Sequence, residues 1–113
     1  MINLISDKKE IEDIINAKIR GKRLIFTEWY RMGIMRKGIP EEKFNEVFPQ
    51  FEKVFKIEKE GLKQGDIGYE LFYELSNNIT FSIATIPKNE ALMIIHIVEY
   101  KRKLDDRFRK LKR

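Results

Sequence analysis

The sequence predicts an α+β fold: N-terminal helices packed on an antiparallel sheet of four to five strands, followed by a basic C-terminal helix. Three observations carry this expectation. Apolar residues recur at helical spacing as far as Val47, the period falls to two from about Phe51, and residues 101–113 return to helical spacing among Lys and Arg. With 113 residues and 42% apolar side chains the chain can bury one core but not two. Residues 1–113 therefore read as a single domain, with an N-terminal helix in 1–22, a core over 23–100 and the basic helix over 101–113.

Asp7 and Glu10 have capping-box spacing, and Ile11, Ile14, Ile15 and Ile19 follow on one helical face up to Gly21, so a first helix is expected from about Asp7 to Arg20. Leu24, Ile25 and Phe26 make a short strand. Thr27 is placed to cap a second helix whose apolar side reads as Trp29, Met32 and Met35 or Ile34, and Gly38 is placed to close it in the left-handed conformation. Pro40 suits the first turn of a third helix carrying Phe44, Val47 and Phe48, which Pro49 ends.

Beyond Phe51, Val54, Phe55 and Ile57 start the sheet, and the glycines from Gly61 to Gly68 read as a mobile loop. Tyr69, Leu71, Tyr73 and Leu75 alternate with Glu70, Phe72 and Glu74. Ser76–Asn78 turn the chain, Ile79–Ile86 returns as a strand, and Pro87–Asn89 turn it again, which makes a meander. Ala91–Val98 is nearly unbroken apolar sequence, as in a strand covered on both faces. Leu104, Phe108 and Leu111 would dock the basic tail as an amphipathic helix.

The net charge of +5 is unevenly placed: residues 1–17 carry −2, 18–37 carry +6, 38–100 carry −5 and 101–113 carry +6. Lys18, Arg20, Lys22, Arg23, Arg31, Arg36 and Lys37 form one basic block, opposed only by Glu28, and the tail forms the other. Such blocks are footprints for a polyanion, because each phosphate neutralised releases condensed counterions. The bland alternative is a solvated face and a frayed tail.

Cysteine is absent, which removes disulfides, thiol nucleophiles and Cys-ligated metals. No apolar run is long enough for a membrane span or signal sequence, so a cytoplasmic location is expected. The richness in Lys, Glu and Ile resembles hyperthermophile composition. With one histidine and no clustered carboxylates at ligand spacing, no metal and no cofactor are expected. His96, inside the most apolar strand beside Ile94 and Val98, reads as a core histidine.

The remaining chemistry is that of Arg, Lys and Tyr, which a metal-independent ribonuclease can use: cations stabilise the charge of a pentavalent phosphate, and a perturbed Lys or Tyr moves the 2′-hydroxyl proton. Trp29, Tyr30 and Arg31 are adjacent in the first block, where aromatic rings could stack unpaired bases. As the start of a helix's apolar face, Trp29 also reads as core.

The run from Ile25 to Glu42, with Phe26-Thr27, Lys37-Gly38-Ile39 and then Phe44 and Val47, resembles a small uncharacterised-domain family similar to the barnase, EndoU, colicin and RelE group of nucleases and toxins. The resemblance covers about Arg23 to Tyr100. Lys37 takes the place of an Arg in the family pattern, and Gly38-Ile39 match it. Trp29 and Gly33 stand where the family carries His and Arg. The resemblance implies a helix-on-sheet fold and a ribonuclease-like or toxin-like activity.

The function expected is therefore binding of single-stranded RNA or DNA with metal-independent nuclease activity, with Arg31, Arg36 and Lys37 as catalytic candidates. Lys22, Arg23, Trp29, Tyr30, Lys101, Arg102, Arg107 and Arg109 are the nucleic-acid-binding candidates. The alternative is a non-catalytic interaction protein, an inactivated toxin-like subunit that meets an antitoxin-like protein or a second copy of itself; neither reading involves a membrane.

Overall fold

A computed structural model describes residues 2–102 and 104–111, with the Leu111 side chain outside that description. Strands β1 (Ile2–Ile5), β2 (Arg23–Phe26), β3 (Val54–Gly61), β4 (Ile67–Ser76), β5 (Ile79–Pro87) and β6 (Ala91–Tyr100) form one sheet in the order β1-β3-β4-β5-β6-β2. The helices are α1 (Lys8–Ile14), extended by a π-helical turn over Ile15–Ile19, α2 (Glu28–Lys37), α3 (Glu41–Val47) and α4 (Asp105–Leu111). The α+β class and the meander β3-β4-β5-β6 are as expected. The sheet has six strands instead of four or five, because Ile2–Ile5 pairs antiparallel with β3 and Arg23–Phe26 pairs parallel with β6. Within the glycine stretch residues 62–66 form the expected connection, a turn between β3, which runs to Gly61, and β4, which begins at Ile67.

Local chemistry sets the helix ends. The Asp7 carboxylate accepts the Glu10 N–H at 2.9 Å at the start of α1. Gly38 ends α2 at φ 67°, a conformation that an L side chain rarely adopts. The Thr27 hydroxyl both accepts the Tyr30 N–H at 3.2 Å and donates to the Ile94 carbonyl at 2.9 Å, so the cap of α2 also fastens the helix to β6.

The helices cover one face of the sheet. Ile11, Ile15 and Ile19 of the first helix, Tyr30 and Ile34 of α2, and Phe44 and Val47 of α3 meet Ile57, Leu71, Tyr73, Phe81, Ile83 and Ile94 in one buried cluster. The Tyr73 hydroxyl donates to the Phe48 carbonyl at 2.8 Å, which satisfies the one polar atom of a fully buried ring. On the opposite face α4 covers only part of the sheet. Leu104 and Phe108 are buried there, and the Phe108 ring lies edge-on to Phe72 (5.1 Å) and Phe55 (5.7 Å). The expected docking of the tail through Leu104 and Phe108 is thus seen; Lys103, Lys112, Arg113 and the Leu111 side chain lie outside the described residues. Among the described residues no helix is long and apolar enough to cross a membrane.

Candidate functional site

Strand β2 is only four residues long, so its pairing with β6 stops at Phe26 and Ile94. Beyond that point the free edge of β6 is taken over by α2. Thr27 binds the Ile94 carbonyl at one end of the helix, and the Lys37 ammonium donates to the Ile97 carbonyl at 2.7 Å at the other. These ties turn Tyr30 and Ile34 into the core and leave Trp29, Gly33, Arg36 and Lys37 facing a trough of about 600 Å³, whose sheet side is Ile86, Ile95 and His96.

His96 reaches this trough because of a β-bulge. Ala84 pairs with His96 and Thr85 with Ile94, which leaves Ile95 as an extra residue. The bulge shifts the phase of β6, so Ile94 and Ile97 point into the core while the His96 side chain stays 43% exposed on the other face. This corrects the reading of His96 as a core histidine, which assumed unbroken alternation.

On that face the register lines up Glu58 (β3), Glu70 (β4), Ala84 (β5) and His96 (β6) as one row across four strands. Ala84 presents only a methyl group, so His96 Nε2 approaches Glu70 Oε2 to 3.8 Å across it; this is an ion-pair contact, longer than a hydrogen bond. At the far end Arg107 of α4 holds Glu58 with two parallel bonds, Nε to Oε2 at 2.9 Å and Nη2 to Oε1 at 2.8 Å. Its guanidinium also lies 5.3 Å above the Phe72 ring and donates to the Tyr100 hydroxyl at 3.3 Å. Two adjacent carboxylates would repel each other; here a cation flanks each of them when His96 is protonated.

Burial on its own would raise the Glu70 carboxyl, but His96 and Ser82 stabilise its charge, with help from Arg107, and it ends below the ordinary carboxylate range. The Ser82 hydroxyl is fully buried and completes no hydrogen bond with any described group, so its effect on Glu70 is that of a nearby dipole. The Lys37 ammonium is pushed below its ordinary value by burial first and by the adjacent Arg36 charge second, with Glu70 pulling the other way. The trough thus brings together a lysine readier to give up its proton, a histidine beside a carboxylate, an arginine and a tryptophan. Among the described residues no group of three or more His, Asp or Glu is placed to hold a metal ion.

Of the residues singled out from the sequence, Trp29, Arg36 and Lys37 share the trough. Trp29 is 73% exposed, which overturns its reading as core, and Met32 and Met35 are exposed with it. The buried stripe is offset by one residue to Tyr30 and Ile34, and the Tyr30 ring packs on Phe26 and Phe44, lining a separate pocket with Arg31 rather than the trough. Arg31 lies outside the trough, in a separate pocket with Glu41, Phe44 and Asn45. Arg107 is engaged by Glu58 and Arg109 by Asp106, so neither is a spare cation; Arg23, Lys101 and Arg102 are exposed. Lys22 lies in a cavity at the hairpin end of the sheet. Sequence reasoning missed Glu70, Glu58 and the role of His96, since the register and the bulge that unite them leave no mark in linear spacing. Comparison of the chain with protein-family models, curated proteins and solved structures finds no match.

Proposed function

We propose that the chain binds single-stranded RNA in the trough and cleaves it without a metal ion. Trp29 stacks an unpaired base, and Arg36 and Lys37 hold the phosphate. His96 in its unprotonated form, oriented by Glu70, takes the proton of the 2′-hydroxyl as that oxygen forms its bond to phosphorus. Lys37, whose pKa is lowered, protonates the departing 5′-oxygen as the P–O5′ bond breaks. Arg36 stabilises the extra negative charge on the phosphorane. The products are a 2′,3′-cyclic phosphate and a 5′-hydroxyl. The observation that carries this reading is the convergence of Trp29, Arg36, Lys37 and His96 on one open trough, with Glu70 behind the imidazole. With this reading goes a proposed cytoplasmic location.

A second reading rests on Met32 and Met35, which extend the exposed apolar surface of Trp29 along α2. In that reading α2 docks a protein partner or a second copy of the chain, and the scaffold is non-catalytic. The two are separated by salt. Binding to single strands is expected to weaken with a log–log slope of about 0.7 for each phosphate contacted. No binding of RNA at low salt, together with self-association in sedimentation, would reject the first reading in favour of the second.

A further inference from the structure

A cavity of about 630 Å³ opens at the end of the sheet, between the last turn of the first helix and the β3–β4 and β5–β6 turns. Three lysines converge on it, Lys18, Lys22 and Lys88, with Asp66 as the one carboxylate among its lining residues. Two of them are anchored. Lys22 donates its ammonium to the Lys88 carbonyl, and the Lys88 ammonium is held by Asp66 at 2.7 Å. Lys18 has no ion pair among the described residues. Gathering three cations around one carboxylate is unfavourable unless an anion completes the set, and anchoring them in advance lowers the entropy lost when one arrives.

The cavity and the trough share no lining residue but adjoin at the end of β5. Ile86 lines the trough, whereas Pro87 and Lys88, the next residues of the same strand end, line the cavity. Two residues of strand span roughly 7 Å and place their side chains on opposite faces, so a chain leaving the trough has to round the β5–β6 hairpin to reach the cavity.

We propose that the lysines of this cavity form a second phosphate site, which holds the backbone of the strand whose base and scissile phosphate occupy the trough. The proposal rests on the RNA-binding reading above and extends it by fixing the path of the strand. Asp66 opposes an anion but is already paired with Lys88, so the site keeps a positive excess.

Two measurements test it. Inorganic pyrophosphate titrated into ¹⁵N-labelled protein at low salt is expected to shift the amides of Gly65, Asp66, Lys88 and Asn89, and the shifts should vanish in the Lys18→Ala/Lys88→Ala double variant. An unchanged spectrum overturns the site. The second measurement uses 2′-O-methyl uridylates, which bind but cannot supply the nucleophile. The decamer should bind more tightly than the trimer, and the double variant should weaken the decamer alone, with its salt slope reduced by about 0.7 for each phosphate released. A Lys8→Ala/Lys9→Ala variant, equal in net charge, should leave the decamer unchanged. Equal weakening of both lengths, or the same loss in the control, overturns the proposal. Pyrophosphate shifts without binding of either oligomer would reject the trough reading and leave the phosphate site standing.

Discussion

Replacing Arg107 by Met removes one charge and keeps an apolar stem over the Phe72 ring. The Glu58 carboxylate, 4% exposed, then loses both of its hydrogen bonds and still faces Glu70 on the neighbouring strand. Breaking a fully buried pair costs about 3–5 kcal/mol. The Arg107 side chain is 39% exposed, so water screens part of the interaction, and the expected cost falls to about 2–3 kcal/mol. Unfolding entropy scales as about 2.1 cal/mol/K per residue, so for a chain of this length each kcal/mol moves the melting temperature by about 4 °C and the variant should melt roughly 8–12 °C lower. Calorimetry and urea melts at neutral pH measure this, and the urea m-value should stay unchanged. Adding Glu58→Gln should recover part of the loss, because the neutral amide no longer leaves a charge stranded. A melting point within about 2 °C of the parent, equivalent by the same scaling to about 0.5 kcal/mol, or no recovery in the double variant, would refute the view that Arg107 pins α4 to the acidic row.

Trp29→Ala should leave stability within about 0.5 kcal/mol, since the ring is exposed, while weakening single-strand binding by about 1–3 kcal/mol through lost stacking. As the one tryptophan in the chain it also reports directly, and its fluorescence should change on RNA addition. Glu70 has a folded-state pKa below its ordinary value, so its contribution to stability is complete above the ordinary carboxylate pKa and is lost as pH falls through the depressed one. Urea melts across the acid range should therefore show a shallower acid limb for Glu70→Gln than for the parent, and identical limbs would contradict the coupling of Glu70 to His96.

The parts of this molecule legible in its sequence are those set by short-range chemistry. Asp7 and Thr27 cap the helices expected of them, Gly38 takes the left-handed turn, and Phe72, the apolar residue on the polar side of β4, marks the face that α4 covers. Long-range pairing was not legible. Ile2–Ile5 is too short to announce a strand without β3 beside it, and the parallel partnership of β2 with β6 has no local signature. Helix α2 carries apolar residues on both sides, so spacing could not choose between Trp29 and Tyr30; the bonds from Thr27 and Lys37 to the free edge of β6 decide it. His96 was misplaced for a comparable reason, because one extra residue at Ile95 reverses which face follows it.

The proposed cleavage of RNA in the trough depends on His96 as the proton acceptor. The most direct measurement is mass spectrometry of a single-stranded RNA incubated in EDTA with the parent protein and with His96→Ala. The parent is expected to give 2′,3′-cyclic phosphate and 5′-hydroxyl ends, the folded variant a rate about 10²–10⁴-fold lower, and the 2′-O-methyl analogue no cleavage. An intact RNA with the parent, or equal cleavage by both proteins, would contradict it.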